Sequence, residues 1–97
     1  MFRMKGVNPP MITPFLENGD VDYDGLKTLV SFLRERVDGL FITGSYGSGA
    51  LMSVEERKKV TEITVKAAAD KIPVTVMAGT TNNRQTMELV QQAEAAG

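Results

Sequence analysis

Three short apolar stretches recur along this chain at nearly constant spacing. Val7, Leu40 and Val74 mark them, 33 and 34 residues apart. One strand with its return helix takes roughly 30 residues, so the spacing reads as three consecutive strand–helix units. Right-handed crossovers then set the three strands parallel in one sheet. The polar loops at their carboxyl ends, Thr13-Pro14-Phe15, Gly44 to Gly49 and Thr80 to Asn83, fall on one face. In parallel α/β proteins that is the face where ligands bind.

Each unit carries its own local signals. In the first, Val7, Met11 and Ile12 suit a buried strand, but Pro9 and Pro10 lack amide donors, so the strand is expected to be short and irregular. Asp22 is placed to cap a first helix, with Leu26, Leu29, Val30 and Leu33 on its apolar face. In the second, Leu40 to Thr43 reads as a strand buried on both faces, bounded by Gly39 and Gly44. Ser53 with Glu56 three residues on makes a capping box, followed by Val60, Ile63, Thr64 and Ala67 as the buried face. Arg57, Lys58 and Lys59 are expected in solvent, and the helix is expected to end near Asp70-Lys71. In the third, Ile72 to Gly79 forms the strand and Asn83 the helix cap. Met87, Val90 and Ala93 form that helix's inner face, widened by Leu89 and Ala96, and Gly97 stops it.

The pattern β-α-β-α-β-α makes the chain an α/β protein, the first three βα units of a (β/α)8 barrel with parallel strands. An eight-unit barrel takes roughly 250 residues, and this chain has 97. Residues 1–97 are therefore expected to be the amino-terminal part of one barrel domain, either continued by further chain or paired with other copies as a homo-oligomer. An open three-stranded parallel sheet would otherwise have two bare edges.

Composition removes several functions. With 42% hydrophobic and 24% charged residues, disorder is not expected. The net charge of −1, with no basic stripe, gives nucleic acid no electrostatic footprint. There is no cysteine and no histidine, so thiolate chemistry and the usual zinc ligands are missing. No apolar run approaches a membrane span, and Met1 to Lys5 is too short and broken for a secretory leader. The default is a cytoplasmic protein with no metal or cofactor.

The glycine turn Gly44-Ser45-Tyr46-Gly47-Ser48-Gly49 is the candidate site. A phosphate-gripping P-loop needs lysine and Ser/Thr after its last glycine, and Ala50-Leu51 follow here. A dinucleotide turn runs its glycines directly into the helix, whereas this helix starts only at Ser53. Two readings stay open. Successive amides can form a concave donor set for a carboxylate, or the turn is a tight strand-to-helix connection and nothing more.

Taken together, several motifs carry a resemblance. They are Gly6-Val7 leading to Thr13-Pro14-Phe15, Gly19-Asp20-Val21-Asp22, Asp38-Gly39-Leu40, Gly44-Ser45-Tyr46-Gly47, Leu51 to Arg57, and Ile72-Pro73-Val74 with Ala78-Gly79-Thr80. In this order and spacing the chain resembles the amino-terminal part of the dihydrodipicolinate synthase / N-acetylneuraminate lyase family. The resemblance implies a (β/α)8 barrel and Schiff-base chemistry on a pyruvate-like 2-oxo acid. It implies a lysine on the sixth strand that forms the imine and a tyrosine on the fifth that moves protons. On matching positions, Ser45 would relay a proton, and Ser45 and Tyr46 would supply amides to the substrate carboxylate. The turn departs from the family pattern in two places. Tyr46 stands where a second Thr or Ser is usual, and Ser48 where glutamate is usual, which marks a divergent member. For Tyr46, filling space under the loop stands beside direct substrate contact.

None of the six lysines fits the imine role. Lys5 precedes the first strand, Lys27, Lys58, Lys59 and Lys66 lie on helices, and Lys71 precedes the third strand. Two expectations follow. Either this segment supplies the carboxylate loop of a longer lyase or aldolase, or it is a stand-alone, non-catalytic barrel piece that self-associates.

Overall fold

The computed structural model describes residues 4–97. Residues 1–3, part of the stretch read as too short for a leader, lie outside the described residues. The elements run α1 (Tyr23–Leu33), β1 (Leu40–Ile42), α2 (Val54–Ala68), β2 (Val74–Val76) and α3 (Asn83–Ala96), with a 3-10 turn, Gly49–Leu51, before α2.

The two central strands pair in parallel, Leu40 with Val74, Phe41 with Thr75 and Ile42 with Val76, the register expected from the repeat. The first unit departs from it. Its strand shrinks to one parallel bridge, Pro10 with Phe41, so Val7 is not the partner of Leu40. The prolines explain this. Met11 N donates to Phe41 O (2.8 Å) and Phe41 N to Pro9 O (3.1 Å), but Pro9 and Pro10 have no N–H to extend the ladder. Asp38 holds the entry instead, its carboxylate accepting from Val7 N at 2.7 Å.

The helices start where the side chains dictate. Asp22 Oδ1 accepts from Gly25 N at 2.9 Å. The capping box at α2 is complete, with Ser53 Oγ accepting from Glu56 N and Glu56 Oε1 from Ser53 N. The helix ends at Ala68, two residues earlier than expected, because Ala69 and Asp70 both enter the left-handed region (φ 53° and 59°). At α3 the cap is Asn82 rather than Asn83. Its Oδ1 accepts from Arg84 N and Gln85 N, and its own N–H is held by Thr80 Oγ1.

The core lies between the helices and one face of the sheet. Leu26, Val30, Leu40 and Val60 are fully buried, joined by Ile42, Ala68 and Ile72. Charged pairs fasten the rim of this layer: Lys71 bonds Glu35, and Lys58 on α2 pairs with Glu88 on α3. The opposite face is uncovered, with Ile12 and Met77 exposed, an unusual state for a parallel sheet. On α3 only the side facing α2 has a neighbour, so it buries Leu89 alone, while Met87 and Val90, expected on its inner face, stay exposed. Val90 and Ala93 line a groove with Val74, Val76 and Ala78 beside the free edge of β2, where no further unit packs.

Candidate active site

β1 ends in an abrupt reversal. Thr43 takes a positive φ (55°), and the chain then loops through Gly44 to Ser48, itself left-handed (φ 57°). Two backbone bonds close the loop, Gly49 N to Gly44 O (3.0 Å) and Ser48 N to Ser45 O (3.2 Å). Two glycines are demanded by close approach rather than by φ. A Cβ on Gly49 would stand 1.9 Å from Thr43 O, and one on Gly47 would stand 3.0 Å from both Met11 O and Thr43 N.

This packing leaves Ser45 and Tyr46 at the exposed tip, with Tyr46 74% exposed. Tyr46 therefore does not fill space under the loop. The amides of Ser45, Tyr46 and Gly47 donate to no acceptor among the described residues. Gly47 is buried, but the successive unpaired amides of the exposed Ser45 and Tyr46 are donors that can bind an anion such as a carboxylate. The two predicted site residues are thus adjacent, accessible and presented by backbone held from beneath.

Thr13 is part of that support. It is buried, and its Oγ1 donates to Gly47 O at 2.6 Å, tying the loop of the first unit to the glycine turn of the second. Thr13→Val keeps the shape and removes the donor. It is expected to cost about 1–2 kcal/mol by leaving a buried carbonyl unpaired. Urea denaturation of the variant against the parent measures it, and equal midpoints would show that the bond contributes nothing.

The loop after β2 meets the same rim, but its hydroxyls are engaged internally. Thr80 Oγ1 bonds Asn82 O (2.6 Å) and lies 2.9 Å from Thr86 Oγ1. Neither Thr80 nor Asn82 offers a free donor set comparable to the glycine turn.

One residue overturns its sequence expectation. Arg57, read as solvated, is only 5% exposed. Its guanidinium reaches under the end of β2, donating from Nη1 to Gly79 O (2.9 Å) and from Nη2 to Met77 O (2.5 Å). No carboxylate pairs with it among the described residues. Burial lowers its pKa, yet a guanidinium stays charged. The signal was present in the sequence. Arg57 lies three residues before Val60 and seven before Thr64, on the stripe that α2 buries. An open groove of about 740 Å³ lies beside it, lined in part by Met52, Ser53, Gly79 and Gln85; Ser45 and Tyr46 are not among its walls.

No described lysine stands at the carboxyl end of a strand. Lys5, Lys27, Lys59, Lys66 and Lys71 are exposed, and Lys58 is taken by Glu55 and Glu88. Among the described residues no group of three or more acidic, histidine or cysteine side chains could hold a metal, and no helix is long and apolar enough to cross a membrane.

The parallel βα units have counterparts among proteins of known structure. Residues 3–97 match the family model described as the dihydrodipicolinate synthetase family. The 4-hydroxy-tetrahydrodipicolinate synthase of Bartonella bacilliformis is 37% identical over 95 residues, covering 97% of this chain and 32% of that protein. The N-acetylneuraminate lyase of Mycoplasma synoviae superposes with a TM-score of 0.91 at 36% identity, over 95% of this chain and 32% of the other. YagE of Escherichia coli K12, solved in complex with pyruvate, superposes with a TM-score of 0.89 at 38% identity, over 95% and 31%. The chain thus spans about a third of the length of the relatives it matches. Its three βα units are the first three of a TIM barrel, and, on the match over residues 3–97, the chain belongs to the dihydrodipicolinate synthetase family.

Proposed function

We propose that this chain supplies the carboxylate-binding loop of a Schiff-base lyase or aldolase acting on a pyruvate-like 2-oxo acid. The observation that carries the reading is the set of unpaired amides at Ser45 and Tyr46, at the carboxyl end of β1. The pyruvate complex of the relative YagE supports the ligand class. Fixed amides hold a carboxylate without reorganising when charge shifts during reaction. Ser45 adds a hydroxyl beside them that can pass a proton. In the covalent step a lysine amine attacks the 2-oxo carbon and water leaves, giving an imine that activates the neighbouring carbon. None of the described lysines stands where that amine is needed, which supports reading this segment by itself as inactive.

Borohydride trapping with pyruvate tests the proposal. A full-length chain carrying a strand-end lysine is expected to give a stable adduct of one pyruvate, and the 97-residue chain none. No adduct on the full-length chain would sink the Schiff-base reading. An adduct on the shorter chain would sink the claim that it lacks a competent lysine.

The uncovered sheet face, with Ile12 and Met77 exposed, favours a second reading for the isolated segment, self-association without catalysis. Sedimentation tests it: a monodisperse monomer with a cooperative unfolding transition would count against it.

A further inference from the structure

Four described residues other than glycine have positive φ, and Thr43 alone among them is β-branched. For such a side chain the left-handed region is a genuine outlier, and it persists only where the surroundings over-determine it. Here they do. Thr43 is 1% exposed. Its hydroxyl lies 2.7 Å from Ile42 O and 3.0 Å from Met77 O, so its single proton is shared between the last carbonyl of β1 and the residue following β2. Around its backbone, Gly49 leaves room for Thr43 O and Gly47 for Thr43 N.

We propose that Thr43 is a positioning residue. Its shared hydroxyl pins a strained left-handed backbone that aims the amides of Ser45 and Tyr46 at the ligand carboxylate. The inference rests on the 2-oxo acid reading for its ligand, and on the backbone alone for its geometry. Neither acceptor depends on Thr43 for satisfaction. Ile42 O also takes the Met77 amide (3.0 Å), and Met77 O also takes Arg57 Nη2. Losing the hydroxyl therefore orphans no buried carbonyl. What it releases is the hold on φ at residue 43. Relaxation toward negative φ swings Thr43 O away from Gly49 and carries the following amides with it.

Thr43→Val keeps the shape and removes the hydroxyl, and Thr43→Ser keeps the hydroxyl. In the full-length chain Thr43→Val is expected to raise KM for pyruvate about tenfold, with kcat within about twofold, because only the carboxylate grip moves. Thr43→Ser should stay within about threefold of the parent on both constants. A crystal structure of Thr43→Val should show residue 43 outside the left-handed region. An unchanged KM in Thr43→Val, or KM and kcat that merely follow the melting temperature in both variants, would overturn the proposal. So would a valine that keeps positive φ. If the parent chain traps no pyruvate, the 2-oxo acid reading fails by itself. The conformation of residue 43 in the valine variant then decides the role of the hydroxyl, for it if φ relaxes and against it if φ stays.

Discussion

Gly49→Ala should destabilise the fold by about 3 kcal/mol, the upper range for forcing atoms into a packed site. It should also abolish binding at the glycine turn. The new Cβ would stand 1.9 Å from Thr43 O and 2.8 Å from Thr43 C. Both are backbone atoms, so no side-chain rotation relieves the clash. The turn must open, and opening breaks the Gly49 N to Gly44 O bond that closes it. Gly19→Ala is the control. Gly19 has positive φ (94°), but nothing lies within 4 Å of its Cβ position. Its cost is conformational only, about 1 kcal/mol. Urea denaturation of both variants separates the effects. A Gly49→Ala protein no less stable than Gly19→Ala would show that the turn re-forms around the methyl group.

Arg57→Met should cost about 2 kcal/mol, the outcome of two opposed terms. Each hydrogen bond from a charged donor contributes about 1.5–3 kcal/mol, and Arg57 makes two, to Gly79 O and Met77 O. Against them stands the desolvation of a buried cation without a carboxylate partner, an expense that methionine would avoid. The bonds prevail because the guanidinium forks across two carbonyls that have left the β ladder. Arg57→Lys is not a rescue, since one ammonium group cannot reproduce that fork. Thermal unfolding monitored by circular dichroism reads both variants. A methionine variant as stable as the parent would mean that relief from desolvation offsets both bonds. The Arg57→Met variant should also loosen the glycine turn, because Met77 O takes Thr43 Oγ1 as well.

Much of the candidate site was legible because it is local. A helix cap needs a side chain and an amide three residues apart, so Asp22 and the Ser53/Glu56 box follow from spacing and form as read. The 34-residue interval from Leu40 to Val74 is repeated in the strand register because each unit has nearly the same length. Ser45 and Tyr46 could be placed at a strand's carboxyl end for the same reason. Where expectations failed, a contact between distant segments decided. Val7 lost its register because two prolines removed the donors that would have continued the ladder. Arg57 went inward because α2 buries a stripe that includes it and two carbonyls at the end of β2 receive its charge. Met87 and Val90 stayed outside because only the α2 side of α3 has a neighbour, and Leu89 occupies it.

The sequence by itself determined the parallel α/β class, the three βα units, the starts of the first two helices and the glycine turn as the place to look. These follow from periodicity, capping and chain length, which act within about thirty residues. Only the tertiary structure decided what holds that turn. The strained φ of Thr43, the Thr13 bond to Gly47 and the buried Arg57 each join residues 20 or more positions apart, or depend on such a junction. A left-handed threonine has no sequence signature. It exists because the surrounding backbone over-determines it, and that backbone is in place only once the units have packed.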